Sequence, residues 1–167
     1  MQNTINNEEN GVFFFEAPEK IENLTFEKWQ YWLTEKTTAL DEETGCGTVY
    51  RAPITGKDRA DIYQLKEEIS VTISSGTKDI ADRADRIIEL ATEHQADFDN
   101  FYPFTHFYFL LEFSPERPII MDEFGKVLME LTGLVKQEGL SPEDYFWAAE
   151  SVKGLGNNLK VTIRAGK

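Results

Sequence analysis

The residues that could ligate a metal are few and scattered in this sequence. It contains two histidines, His94 and His106, and one cysteine, Cys46. A structural zinc site takes four Cys or His ligands at close spacing, and a calcium loop is rich in Asp. The chain has neither pattern, so we predict no Cys/His metal site and no cofactor. A magnesium site made of carboxylates alone stays open.

Covalent catalysis has no clear nucleophile here. No Gly-x-Ser-x-Gly turn occurs, and Cys46 follows several acidic residues, an unfavourable setting for a reactive thiolate. His106 lies in an aromatic segment, where it could act as a general base or as a structural histidine bonded to the backbone. His94 is expected at the surface, near the end of a charged helix.

Two glycine-containing loops could hold a phosphate. The first, at Gly56, lacks the earlier glycine and the following Ser or Thr that a P-loop requires. The second joins a predicted strand to a predicted helix, whose first N–H groups could bind an anion. A simple N-cap by its threonine explains the same pattern. This possible anion-binding loop is Ser75, Gly76, Thr77 and Lys78.

Large aromatic side chains cluster in two segments predicted to be helical, 25–40 and 142–152. Consecutive helical positions lie about 100° apart, so three adjacent aromatics cannot share one buried face. We therefore expect some of them to be exposed beside acids, as in a protein-binding hot spot. Alternatively, a sheet and a neighbouring helix bury them all. The predicted partner-binding residues are Trp29, Tyr31, Trp32, Glu35, Asp41, Glu42, Glu43, Tyr145 and Trp147.

The net charge of -13 is unevenly distributed along the chain. Residues 151–167 carry four basic and no acidic residues, so the acidic excess lies in residues 1–150. An acidic surface repels nucleic acid and anionic lipid and attracts basic proteins. We predict a basic protein partner, with no direct nucleic-acid or membrane binding. Solubility alone is the other explanation.

The elements that position these residues mix helices with strands. Period-2 or short apolar runs predict strands at 11–18, 48–51, 69–74, 101–113 and 159–164, and helical spacing adds 56–68, 78–96 and 119–137. We therefore predict an α+β domain over residues 11–167, with a mixed sheet of about five strands packed by four or five helices, after a flexible N-terminus at 1–10. No leader or membrane-spanning run is visible, and a lone cysteine suits the cytoplasm.

Three functional hypotheses remain. The first is a non-enzymatic acidic protein that inhibits a basic, nucleic-acid-handling partner, as immunity proteins and phage anti-defence inhibitors do. The second is a small enzyme or ligand-binding domain that takes an anionic substrate at the Ser74–Lys78 loop, with His106 or a carboxylate as base. The third is a structural or chaperone component of a phage-like assembly, in which the basic strand Leu159–Arg164 pairs with a neighbour.

Overall fold

The computed structural model of the protein describes residues 9–22, 28–33, 41–51, 54–78, 82–135 and 145–167. The strands are β1 (Val12–Lys20), β2 (Gly47–Arg51), β3 (Glu67–Ser74), β4 (His106–Phe113), β5 (Tyr145–Ser151) and β6 (Lys160–Gly166). The helices are α1 (Gln30–Leu33), α2 (Gly56–Tyr63), α3 (Arg83–Glu93), α4 (Gln95–Phe98) and α5 (Met121–Val135), with a 3-10 turn at Asp99–Phe101.

All six strands form one mixed sheet in the order β1-β3-β6-β4-β5-β2. Only β4 and β5 pair in parallel, and the other neighbours are antiparallel. The chain moves in one direction across the sheet from β3 to β4 to β5, through α3 and then α5. Because crossovers between parallel strands are right-handed, this order places both helices on the same face.

The helix-covered face is apolar throughout its centre. Odd-numbered residues of the central strands point towards α3 and α5, and Val71, Ile163, Phe109 and Trp147 illustrate the row that crosses the sheet. The buried side of α5, with Phe124, packs onto it. This face forms the larger core.

The second face of the sheet carries the even-numbered residues and is covered by α1 and α2. Trp29 and Trp32 pack there with Ile62 against Tyr108 of β4. Helix α2 begins at a capping box, in which the Thr55 hydroxyl accepts from the Asp58 N–H and the Asp58 carboxylate accepts from the Thr55 N–H. The local sequence thus fixes the start of a helix that covers this face.

The predicted α+β class is confirmed, and each of the five predicted strands is present, although β4 starts at His106 rather than at 101. The helix predicted over 142–152 is wrong, because residues 145–151 form β5 between β4 and β2. In the helix predicted over 25–40, α1 spans only Gln30–Leu33, and residues 25–27 and 34–40 lie outside the described part. The protein is a single α+β domain with a six-stranded mixed sheet.

Candidate protein-binding surface

The tryptophans predicted as partner anchors lie in the interior. Trp29 is 0% exposed and Trp32 is 3% exposed. The Trp29 indole Nε1 donates a 2.6 Å hydrogen bond to Glu68 Oε2, and its ring meets Tyr108 edge-on at 4.9 Å. These two side chains are therefore committed to the second face. Glu35 and the side chain of Tyr31 lie outside what the structure describes.

Tyr145 and Trp147, also predicted as anchors, point towards the helix-covered face. Trp147 meets Phe124 of α5 edge-on at 5.3 Å, and Tyr145 meets Phe109 at 5.6 Å. Phe146 points the other way and stacks on Tyr108 of the second face. Because strand residues alternate between two covered faces, three consecutive aromatics can all find packing partners, as they could not on one face of a helix.

The predicted acidic residues Asp41, Glu42 and Glu43 form a well-defined turn before β2. The Asp41 carboxylate accepts hydrogen bonds from the N–H groups of Glu43 and Thr44, and all three acids are exposed. A Cβ added at Gly45 would lie 2.9 Å from Pro115 Cβ, so the turn sits against the β4–α5 loop. This acidic turn therefore lies near the loop that leads into α5.

The possible anion-binding loop uses its donors within the chain. The Gly76 N–H donates to Asn158 Oδ1 at 3.1 Å, and the Lys78 N–H donates to the Glu9 carbonyl. The Ser75 hydroxyl accepts from the Leu159 N–H at 2.9 Å. Gly76 has φ +100°, and a Cβ there would lie 2.4 Å from the Glu9 carbonyl oxygen.

These contacts give the loop a structural role, because it binds Glu9 on one side and Asn158 and Leu159 on the other. The exposed Thr77 and Lys78 side chains remain available, beside a pocket of about 140 Å³ that Lys78 and Arg86 share with Glu9. Anion binding at this loop stays a prediction.

The two histidines differ in their surroundings. His106 is half-buried at the start of β4, with Nδ1 2.8 Å from Thr105 Oγ1 and Nε2 4.0 Å from Asp61 Oδ2. A hydrogen bond from Lys57 lowers the pKa of Asp61 and engages this carboxylate. His94 is not the surface residue we expected, since it stacks on Phe13 at 4.0 Å and its Nδ1 lies 2.9 Å from the Leu90 carbonyl.

Exposed apolar side chains concentrate on α5 and just before it, where no partner-binding residue was predicted. Of the five large hydrophobic residues exposed in the described part of the chain, three are Ile120 (59%), Met121 (68%) and Met129 (74%). Met121 and Met129 are two of the three methionines in the sequence. Their positions could have revealed this side of the helix, because Met121 and Met129 do not belong to the helical row of Phe124, Val127, Leu128 and Leu131.

We call Met121, Gly125, Met129 and Gly133 the α5 stripe. They recur every four residues, so they follow one side of the helix. Among the described residues, only chain neighbours and the helix's own backbone come within 4 Å of where a Cβ would stand at either glycine. The stripe is thus an uneven apolar surface, with one notch at Gly125 between the two methionines and a second at Gly133 beyond Met129.

Acidic side chains flank the α5 stripe on the side of α3. Lys126 lies among them, forms an ion pair with Asp85 and lies 3.7 Å from Asp82. The hydrogen bond from Lys126 lowers the pKa of Asp85 and raises that of Lys126. The acidic rim consists of Asp82, Asp85, Glu89, Asp122 and Glu130.

A buried ion pair joins the starts of α3 and α5 under this rim. Arg83 is 0% exposed and binds Glu123 through Nε at 2.8 Å and Nη2 at 3.1 Å. Burial raises the pKa of Glu123, but the hydrogen bonds from Arg83 and from the Ile120 N–H outweigh it, so the pKa is lowered. A pocket of about 440 Å³ opens beside this pair. The contacts between Arg83 and Glu123 thus link α3 and α5 near their N-terminal ends.

Basic side chains near these surfaces are engaged in ion pairs. Arg86 pairs with Glu89, Lys160 with Glu112, and Lys167 with Glu67. The basic strand β6 lies inside the sheet and pairs with β3 on one edge and β4 on the other. The hypothesis that this strand pairs with a neighbouring subunit is contradicted, because both of its edges are occupied.

No family model, curated protein or solved structure matches the chain. Within the described residues, no helix is long and apolar enough to cross a membrane. The same residues bring together no three His, Cys, Asp or Glu side chains that could hold a metal ion.

Proposed function

We propose that this protein binds a basic, nucleic-acid-handling protein and inhibits or neutralises it. The observation that carries the proposal is the exposed apolar side of α5 with the acidic rim beside it, on a chain of net charge -13. Immunity proteins and phage anti-defence inhibitors belong to this functional class.

The physical argument is competition for a cationic surface. A protein that handles nucleic acid presents Lys and Arg to phosphates, and an acidic protein of fitting shape can occupy the same surface. Its charge accelerates encounter, while buried apolar anchors slow dissociation. On one side of the molecule, the acidic rim supplies the charge, and the exposed Met121 and Met129 supply the apolar anchors.

The acidic turn extends the candidate surface. Glu42 and Glu43 are exposed next to the loop that leads to Ile120, and Glu116 on that loop is also exposed. We therefore assign the partner-binding role to the end of the molecule where α5 begins, and no longer to Trp29 and Trp32.

The test is a binding and inhibition assay against a panel of basic nuclease domains, with lysozyme as a basic protein that does not handle nucleic acid. We expect saturable binding to a nuclease, loss of its activity, and an association rate that falls about tenfold between about 50 and about 300 mM NaCl. Glu42→Gln with Glu43→Gln should slow association. Glu93→Gln with Asp99→Asn removes the same charge elsewhere and should have a smaller effect.

Three results would overturn the proposal. One is inhibition of no nuclease in the panel, and another is equal binding to lysozyme, which would indicate unspecific attraction between opposite charges. The third is equal slowing by both pairs of substitutions, since the position of the acids would then not matter.

The enzymatic alternative has less support from the described geometry. The loop at Ser75–Lys78 directs two of its backbone N–H groups to Asn158 and Glu9. The Asp61 carboxylate near His106 is engaged by Lys57. No specific observation therefore favours a second function.

A further inference from the structure

We infer that the α5 stripe is a docking site for a basic amphipathic helix of the partner. This inference rests on the proposed function and adds to it the binding mode and the partner's secondary structure. It starts from the exposure of Met121 and Met129, which lie two helical turns apart on the outer side of α5.

The dimensions of the stripe match those of one helix. Helix α5 has 15 residues, which corresponds to a length of about 22 Å, and the two methionines are separated by about 12 Å along its axis. Apolar side chains that recur at helical spacing on a partner would meet this row along its length. Methionine suits such a surface because its flexible, polarisable side chain adapts to differently shaped partners.

The glycines of the stripe support close approach by a partner. A glycine inside a helix destabilises it relative to alanine, because glycine loses more backbone entropy on folding. Nothing in the described fold requires Gly125 or Gly133, since no side chain or neighbouring element of that part comes within 4 Å of a Cβ at either position. The notch between the two methionines, and the one beyond Met129, would admit the side chains of a docked helix.

Charge decides between the possible occupants. The acidic rim holds five carboxylates beside the stripe. Lys126 pairs with two of them and Arg86 with a third, so acids still outnumber bases there. A second copy of this chain would bring a second acidic rim, and an anionic lipid surface would be repelled as well. A helix with Lys or Arg beside its apolar side satisfies both the stripe and the rim.

The test uses the full chain and a fluorescein-labelled peptide of about 18 residues, long enough to form a helix, with leucines at helical spacing and lysines elsewhere. A second peptide has the same composition with the leucines scrambled. A third keeps the leucine positions but replaces lysine by glutamate. Fluorescence anisotropy should show binding of the first peptide about tenfold tighter than of either control.

The variants locate the site. Met121→Ser with Met129→Ser should weaken binding of the first peptide about tenfold. Tyr63→Ser, which removes a side chain of 59% exposure from α2 on the other side of the sheet, should leave it unchanged. Gly125→Gln should weaken binding by filling a notch, although it stabilises the helix, so loss of folding cannot explain the result.

Each contrary result has a defined meaning. Equal binding of the patterned and scrambled basic peptides, or no effect of the methionine substitutions, overturns the docking site. Sedimentation that shows dimers of the wild type and monomers of the methionine variant would identify a second copy as the occupant and also overturn it. If a nuclease is inhibited as proposed but the peptide does not bind, the helical mode fails and the proposed function stands.

Discussion

The two faces of the sheet are buried by different means. On the helix-covered face, the centre of the sheet consists of apolar side chains such as Val71, Phe109 and Ile163. On the second face, a carboxylate, a guanidinium and a phenol lie together under α1 and α2, namely Glu68, Arg164 and Tyr108.

This difference shows where each face obtains its stability. Apolar burial is roughly proportional to area and tolerates small errors of orientation. A buried charge is stable only while its partners stay in place, because desolvation costs as much as pairing gains. We therefore expect substitutions on the helix-covered face to lower the free energy of unfolding through lost side-chain volume. On the second face, we expect the loss of a charged or hydrogen-bonding partner to have this effect.

The largest effect should come from Phe109→Ala. Phe109 is 0% exposed in the centre of the helix-covered face, so the substitution leaves a cavity and should lower the free energy of unfolding by about 3–5 kcal/mol. Leu110, the next residue of β4, is half-buried on the second face, and Leu110→Ala should cost about 1–2 kcal/mol. Urea unfolding measures both. Equal losses would contradict the difference between the faces.

The second effect concerns the charges of the second face. Glu68 is 2% exposed, and its Oε1 lies 3.3 Å from Lys28 Nζ and 3.5 Å from Arg164 Nη1. Glu68→Gln keeps an acceptor for the Trp29 indole but leaves Arg164 without its buried carboxylate. The free energy of unfolding should fall by about 2 kcal/mol, less than for a fully buried pair, because Arg164 is 16% exposed.

A double substitution provides the control for this result. Arg164→Met added to Glu68→Gln removes the cation that the first change leaves unpaired. The loss of unfolding free energy in the double variant should therefore be smaller than the sum of the losses in the two single variants, by about 1 kcal/mol. Strict additivity in urea unfolding would mean that the two charges do not stabilise each other.

The strands whose faces alternate clearly were predictable from the sequence. In β3, Ile69, Val71 and Ile73 alternate with small polar residues, and β6 repeats the pattern. Strand β5 was missed because Ser141-Pro142 imitates a helix start and because its aromatics occupy both faces. Its pairing with β4 is a long-range contact that no local pattern records.

The site was predicted less well, for a related reason. The exposure of Trp29 and Tyr145 was inferred from helical geometry. In the structure, the Trp29 ring is buried on the second face of the sheet, and Tyr145 belongs to a strand, β5. The acids Asp41, Glu42 and Glu43 are exposed, in a turn that is closed by the hydrogen bonds to the Asp41 carboxylate. Met121 and Met129 escaped notice because methionine commonly fills cores.

The smallest effect we predict concerns the hydroxyl of Tyr108. The ring is enclosed by Trp29, Trp32 and Phe146, with centroids 4.9, 5.2 and 5.3 Å away. Its hydroxyl is buried and has no hydrogen-bond partner among the described residues. Since an unpaired buried hydroxyl costs about 1–3 kcal/mol, Tyr108→Phe should leave the free energy of unfolding unchanged or raise it by about 1 kcal/mol.

Alkaline pH should widen the gap between Tyr108→Phe and the wild type. Burial, together with the charges of Asp58 and Asp61, raises the pKa of Tyr108 above its ordinary value of 10.0. The unfolded chain therefore loses this proton first, so the wild type loses stability as pH rises above 10.0, a loss that phenylalanine at this position cannot contribute. Tyr63→Phe, at an exposed tyrosine, is the control. A destabilised Tyr108→Phe at neutral pH would show that the hydroxyl is bonded, and that the second face depends on polar partners even at its phenol.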